Sequence, residues 1–587
     1  MKNKYFVFFL FLHLTRAVCV GQIPQDKKQA VAVNPASITK LLDSLFAKYN
    51  NNTSPGLAIT IIQNGTTIVK KNYGMASIEF KVPFAHNTVV SIPYSEGREF
   101  IAVATALLEQ DKKLKLEDKV KNYFPKLPVW ADAVTIQDLL NHSSGFCDEW
   151  ATLVLTQADM SNRFDVSQFL DFLYRQPEPQ VEPGKGYMYS NSDFGLLRLI
   201  LEKASGEKLP DYMQQRIFTP LKMYNSGMRR DKEDVIPNHA FSYEDEGEGI
   251  YSVWLRDKTS AGGNYQVLTT ANDLEKWAEA CANKNSFITK AFNRLKENGR
   301  PIPVLKETSY VFGHKEKNIG NYKMTAHEGV TGFNYLSQVE EAGLTVIFLG
   351  NIRGSWTETI ATITDHLLHN RNTKRQAFTK FPSAPINIDK TRLQQYAGRY
   401  AWTEPTFQSN TSINNYTEFR VIDDSLNWVY NEQDIFPVVP VGEGIFKDPG
   451  FPIWMVFEQP HPDSLMRLTM HAQTNKPQIV ESIRDTATAR YFSKATMQQL
   501  TGKYYNKHLD FYWTIEMDNK GRLLVKRPTI SDKYLEPQPG GEFRMNVQYY
   551  TDQESSVYIK FYFDEAGNPA YFDVHHARLM HCRFDKQ

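Results

Sequence analysis

Three short stretches of the sequence combine residue types that suit acyl chemistry. In Ser95-Glu96-Gly97-Arg98-Glu99-Phe100 a serine stands where a helical pattern begins. A helix N-terminus offers free backbone N–H groups and a favourable dipole, both suited to an oxyanion. Positions 95 and 98 share one helix face, which puts Arg98 beside the Ser95 hydroxyl. The same residues also fit a structural role, because serine is a favoured helix cap and an arginine is ordinarily solvated. Tyr189-Ser190-Asn191, after Pro183-Gly184, offers a phenol for proton relay and an amide to hold a carbonyl. Its structural alternative is a loop tyrosine followed by a helix cap. His327-Glu328-Gly329-Val330-Thr331-Gly332 enters a strand, where glycine lets a ligand approach the backbone closely. A glycine-marked bulge explains it equally well.

Several elements must position these stretches. Ile38, Leu41, Leu42, Leu45 and Phe46 recur at helical spacing behind Asn34 and Pro35. Leu57 to Ile62 and Thr66 to Tyr73 flank Asn64-Gly65, a tight-hairpin signal. Helical patterns run from Phe100 through Leu108 and from Ser192 to a stop at Gly206. Strands return at Phe333 to Val339 and Leu344 to Leu349, and a helix follows at Thr357 to Leu368. This order describes an α+β layer architecture over 34–370. Residues 371–390 have a linker's texture. Beyond them the chain repeats itself: Leu393-Gln394-Gln395-Tyr396-Ala397-Gly398-Arg399-Tyr400 returns as Met497-Gln498-Gln499-Leu500-Thr501-Gly502-Lys503-Tyr504. Each copy continues into short aromatic-rich strands and a glycine-rich turn ending on Phe446 or Phe543. Two units, 391–490 and 495–587, fit two small antiparallel barrels, since closure removes exposed sheet edges.

With 587 residues the chain has room for three or four domains at ~150 residues each. Its 67 Lys+Arg against 66 Asp+Glu give no basic field for nucleic acid. Lys2 and Lys4, an apolar run from Tyr5 to Leu14, then Ala17, Cys19 and Gly21 form a secretory pattern over 1–21. That run falls short of the ~20 apolar residues of a transmembrane helix, and no later stretch reaches them. Export to the periplasm or medium is the expectation, with a lipid anchor on Cys19 the weaker option. Loss of the segment leaves Cys147, Cys281 and Cys582, a scattered set expected to be buried as small hydrophobes. No metal is expected, because no His-Glu-x-x-His, paired Cys-x-x-Cys or EF-hand loop occurs. His575-His576 would point to opposite faces of a strand. No organic cofactor is expected either, for no glycine-rich phosphate loop joins a strand to a helix.

Taken together and in this order, the three stretches resemble the serine β-lactamase and penicillin-binding-protein superfamily, with its Ser-x-x-Lys, Tyr-x-Asn and Lys/His-x-Gly elements. Leu139-Leu140-Asn141-His142-Ser143-Ser144-Gly145, Pro220-Leu221-Lys222-Met223, Ser260-Ala261-Gly262-Gly263 through Asp273-Leu274 and the Leu344–Asn351 strand extend the likeness to about residues 36–370. With the repeats behind it, the chain is similar to the three-domain D-aminopeptidase branch. The resemblance implies a β-lactamase/transpeptidase-like domain followed by two lipocalin-like barrels that narrow its entrance. It also implies an acyl-enzyme on Ser95, with Tyr189 as proton relay and Asn191 and His327 orienting substrate. The backbone N–H groups of Ser95 and Val330, beside Gly329, would form the oxyanion hole. The expected substrate is a small amide, ester, β-lactam or D-amino-acid peptide, peptidoglycan-derived peptides included.

One position departs from the pattern. Arg98 stands where the family has a lysine thought to deprotonate the serine, and a guanidinium does not give up its proton. Two consequences are open at this level. A permanent cation ~4 Å from Tyr189, at an effective dielectric of ~20, is worth up to about 4 kcal/mol to a phenolate, so Tyr189 can act as base. Alternatively the cleft binds a cell-wall peptide or protein partner without catalysis, Arg98 clamping a carboxylate with both nitrogens.

Overall fold

The computed structural model describes residues 34–587 except 93–96, 157–164, 231–233, 248, 255–266, 299–301, 306–307, 320–321, 329–333, 355, 370–380, 383, 403–415, 430–434, 450–452, 460, 462–463, 474–476, 485–492, 528–529, 539–541, 551–552 and 577–578. The signal pattern over 1–21, Ser95, Gly329, Val330, the Ser260–Gly263 match and most of 371–390 therefore lie outside the described residues.

Helix α1 (Pro35–Leu45) begins where Asn34 caps it by accepting from the Ala36 N–H. Strands β1 (Leu57–Gln63) and β2 (Thr66–Tyr73) form the expected hairpin. Asn64 and Gly65 both take positive φ, 50° and 77°, as a two-residue type I′ turn demands. Helix α2 (Arg98–Gln110) is buried along its length from Arg98 to Glu109, which explains its largely apolar sequence. Around it lie α3 (Ile136–Leu140), α4 (Glu149–Thr156), α5 (Val166–Tyr174), α6 (Asn191–Ser205), α7 (Ala271–Ala282) and α8 (Phe287–Asn298). Gly206 ends α6 in the left-handed conformation, φ 80°.

Four strands precede the pair expected near residue 335: β3 (Ile302–Leu305), β4 (Thr308–Val311), β5 (His314–Ile319) and β6 (Tyr322–Glu328). The sequence of β5, His314-Lys315-Glu316-Lys317-Asn318-Ile319, is too polar to read as a strand by alternation, and Pro303 interrupts the short apolar run of β3, whereas Tyr322, Met324 and Ala326 of β6 do alternate with polar residues. After β7 (Asn334–Val339) and β8 (Leu344–Gly350) comes α9 (Thr357–His369). All eight strands form one antiparallel sheet in the order β3-β4-β5-β6-β7-β8-β1-β2. Leu57, Ile59, Val346 and Phe348 pack with Ile38, Leu42, Ile360 and Ile363 of α1 and α9. Ala58, Leu336, Ile347 and Leu349 join the core of the α2 cluster on the opposite face. A sheet covered on both sides by helices is the expected α+β layering. Asn351 clips its end: the side chain accepts from Gly56 N–H and donates to the Met75, Ala76 and Phe241 carbonyls.

The two repeats fold alike at their starts. Tyr400 donates to the Tyr396 carbonyl and Tyr504 to the Leu500 carbonyl, each at 2.8 Å. Gly398 and Gly502 share φ values of 139° and 142°. The second copy closes into an eight-stranded barrel over 502–586. The first forms a nine-stranded antiparallel sheet whose two end strands, Ile435–Pro437 and Val439–Gly442, are consecutive in the chain. One residue, Val438, separates them, so the sheet wraps round until its edges meet. Cys147 and Cys582 are buried thiols and Cys281 is half-buried, all unpaired. Among the described residues no helix is long and apolar enough to cross a membrane.

The closed barrel docks on the back of the helical cluster. His508 donates from Nε2 to the Phe172 carbonyl of α5 at 3.0 Å and stacks on the Phe172 ring, centroids 4.5 Å apart. Burial pushes His508 down to about 4, against the ordinary imidazole value near 6.5. The unfolded chain therefore binds this proton first, and the seam loses stability as pH falls from ~6.5 towards 4. Urea titrations of the wild type should lose on the order of 3 kcal/mol over that window. His508→Gln should flatten that part of the pH profile.

Candidate functional site

Arg98, at the start of α2, is buried, with 2% of its surface exposed. Its Nη1 lies 2.8 Å from His142 Nε2 and its Nη2 donates to Asn191 Oδ1 at 2.8 Å. An arginine has no lone pair to offer, so His142 Nε2 is the acceptor and the imidazole proton sits on Nδ1. Nδ1 then donates to Asp193 Oδ2 at 2.9 Å. The Ser190 N–H, 3.3 Å from the same protonated nitrogen, gains nothing from it. Asp193 also accepts from the Ser144 hydroxyl.

Asn191 passes the charge the other way. Its Nδ2 donates to Asp148 Oδ2 at 3.1 Å, and its backbone N–H reaches the same oxygen at 3.2 Å. Asp148 meanwhile caps α4 through Ala151 N–H. The guanidinium thus reaches two acids, each through one neutral side chain. Burial works against its charge, Tyr189 and Tyr310 outweigh that cost, and the group stands above its ordinary value. Burial pushes Asp193 well above the carboxylate range, against the pull of Ser144 and Arg98.

Aromatic rings wall this network. The guanidinium carbon lies 4.4 Å from the Tyr189 ring centre and 4.6 Å from that of Phe194. Tyr310 and Tyr187 close in on His142, with ring centroids at 5.0 and 6.0 Å. The turn between β4 and β5 carries Phe312 and Gly313 at positive φ, 43° and 92°. A Cβ on Gly313 would meet the Arg98 carbonyl at 3.0 Å, so only glycine lets this turn lie against the start of α2. Lys315 of β5 pairs with Ala326 of β6, which sets the backbone of His327 level with that turn.

The structure therefore brings Arg98, Tyr189 and Asn191 into contact and places the His327 backbone at the same end of the sheet. Ser95, Gly329 and Val330 lie outside the described residues. One expectation changes: Arg98 is buried and turns one hydrogen of each terminal nitrogen to His142 and Asn191, so it does not present a bidentate clamp to a ligand. The second barrel packs behind α4 and α5. The partners His142, Asp148 and Asp193 were not singled out by sequence. His142 stood in view within Leu139–Gly145, where the residue type marked an acid–base group, but its partner is 44 positions away.

A family model, Beta-lactamase, matches residues 42–367. The chain belongs to the Beta-lactamase family. It is 30% identical over 267 residues to Penicillin-binding protein 4* of Bacillus subtilis (strain 168), spanning 43% of this chain and 57% of that protein. It is 26% identical over 290 residues to the D-aminopeptidase of Brucella anthropi, spanning 48% of this chain and 52% of that one. The chain thus spans about half the length of these curated relatives. Among solved structures, the octameric penicillin-binding protein homologue from Pyrococcus abyssi superposes with a TM-score of 0.51 at 18% identity, covering 86% of this chain and 99% of that one. That likeness bears on the fold alone.

The network generates two expectations. His142→Ala strands a buried cation and a buried acid together and should cost about 3 kcal/mol or more in urea unfolding. His142→Gln, able to accept and donate in the same directions, should recover part of the loss. Glu149, at the start of α4 and hydrogen-bonded to Ser192, is pushed up to about 8 by burial and by the charge of Asp148. Its folded form binds a proton that the unfolded chain releases near ~4.3, so its contribution is full below that pH and lost as pH rises through 8. Glu149→Gln should remove this decline between pH 5 and 8, read from unfolding midpoints across the range.

Proposed function

We propose that the protein is an exported serine hydrolase whose Ser95 forms an acyl-enzyme with a small amide, ester or D-amino-acid peptide. The observation that carries the reading is the contact of Tyr189 with the Arg98 guanidinium, beside Asn191. The Tyr189 hydroxyl stands 3.4 Å from Asn191 Oδ1, so the phenol and the amide that would hold a substrate carbonyl face the same place beside the guanidinium. Ser95 Oγ attacks the carbonyl carbon while its proton passes to Tyr189. Collapse of the tetrahedral intermediate breaks the bond to the leaving amine or alcohol, which takes that proton. Water then reverses the sequence and frees the acid. The names Penicillin-binding protein 4* and D-aminopeptidase among the relatives support this reaction class and a peptide-like substrate. Among the described residues one Asn191 amide hydrogen goes to Asp148, and we assign the other to a substrate carbonyl.

A second reading, a cleft that binds a cell-wall peptide or protein partner without turnover, is favoured by one observation. The group replacing the family's lysine is locked into the domain by neutral partners on both sides, where it serves stability and transfers no proton.

A labelled penicillin or covalent serine probe, followed by peptide mapping, separates the two. The hydrolase reading expects an adduct on Ser95 of the wild type, with Tyr189→Phe slowing its formation by on the order of 10²–10⁴-fold. An unchanged rate in that variant removes Tyr189 from the mechanism. No adduct on the wild type but a strong one on Arg98→Lys supports the binder.

A further inference from the structure

The outer face of the closed barrel carries a cluster apart from the Arg98 site. Inside the barrel, Phe572, Val574, Cys582 and Phe584 fill the core. By alternation Asp573 and His575 on strand Pro569–His576, and His581 on strand Leu579–Lys586, face outward. One ligand atom from each of Asp573, His575 and His581 lies within 4.8 Å of the other two. Alternation separates His575 from its neighbour His576, but the fold sets His575 against His581 from the adjoining strand, ring centroids 5.2 Å apart and nearly perpendicular. The pairing slips between Val574 and His576, and His581 sits at φ 55°. This bulge turns the second imidazole towards the first.

We infer that Asp573, His575 and His581 form a binding site for a divalent first-row metal ion of the zinc class. Two imidazoles and one carboxylate are the donor set such ions prefer. Bonds of about 2.0–2.2 Å place tetrahedral donors roughly 3.4 Å apart. His581 Nδ1 already stands 3.7 Å from Asp573 Oδ2. His581 is exposed and Asp573 buried, so the flexible ring closes the site against a fixed carboxylate. Arg583, the cross-strand neighbour of Asp573, pairs with Asp585 and stacks on Tyr571, which keeps its cation engaged elsewhere. Lys560 lies opposite Asp573 on the other side. Glu178, from the loop after α5, is near enough to act on Asp573 and favours a bound cation. Three protein donors leave a fourth position for water. The ion would brace the last two strands of the barrel at the seam where that barrel meets the helical domain.

The test is calorimetric titration of the full chain, without a histidine tag and stripped by chelator, with zinc chloride, and parallel titration with cobalt(II) read by visible absorption. One equivalent should bind, with a tetrahedral cobalt spectrum. His575→Ala and His581→Ala should each weaken binding by at least ~10-fold. His461→Ala, an exposed histidine in the first repeat, should leave it unchanged. His581→Gln covers the case in which His575→Ala fails to fold, since residue 581 is exposed. The inference is overturned if no saturable equivalent binds, or if binding survives both His581 variants.

Discussion

Among the described residues the Arg98 guanidinium is buried without a directly bonded carboxylate, and that is the constraint on which this site depends. Taking such an ion out of water costs several kcal/mol even after relaxation. Here the repayment arrives through two intermediaries, His142 towards Asp193 and Asn191 towards Asp148. Each must accept on one side and donate on the other, so every hydrogen in the chain has one permitted direction. Histidine satisfies this only as the Nδ1–H tautomer, and asparagine only with its oxygen turned to Arg98. The fork of arginine matters as well: Nη1 and Nη2 address different partners, which a single ammonium on a shorter reach does less well. Arg98 is thus matched to its surroundings through both arms of its fork.

The same bonds are tertiary ties. Arg98 opens α2, His142 and Asp148 lie on the segment between α3 and α4, and Asn191 and Asp193 open α6. Three stretches far apart in sequence are therefore fastened at one point, and the Gly313 turn presses on it from the sheet. The hydrophobic core fixes how the layers stack, being non-directional. The polar network fixes the angle at which Tyr189 and Asn191 are presented.

Local signals in the sequence carried well into the structure. Asn64-Gly65, the spacing of Ile38 to Phe46, Gly206 and the Tyr400/Tyr504 repeat each depend on neighbours a few residues away, and each appears in its place. Strand β5 is polar at nearly every position and β3 is a four-residue run broken by Pro303, so neither carries a strand signal, while the alternation of Tyr322, Met324 and Ala326 in β6 was legible. In the site, Arg98, Tyr189 and Asn191 were legible as types at set spacings. Asp148 and Asp193 were not, since a charged residue is ordinarily solvated and only the fold shows both fully buried. Nothing short of tertiary structure says that an imidazole and an amide will carry a charge to them.

The closed barrel supports the network from behind. Strand Glu542–Tyr550 lies against α4, and His508 holds α5. Helix α4 begins at Glu149, which bonds to Ser192, and is capped by Asp148, which bonds to Asn191. Two contacts therefore separate the barrel surface from the amide that meets Arg98. One apolar core runs without a break from Leu155 and Phe172 into Trp513 and Phe584. A helix as short as α4, eight residues, has little stability of its own and takes its position from what packs on it. The barrel thus acts as the back wall that keeps α4, and with it Asn191, in register with the buried cation.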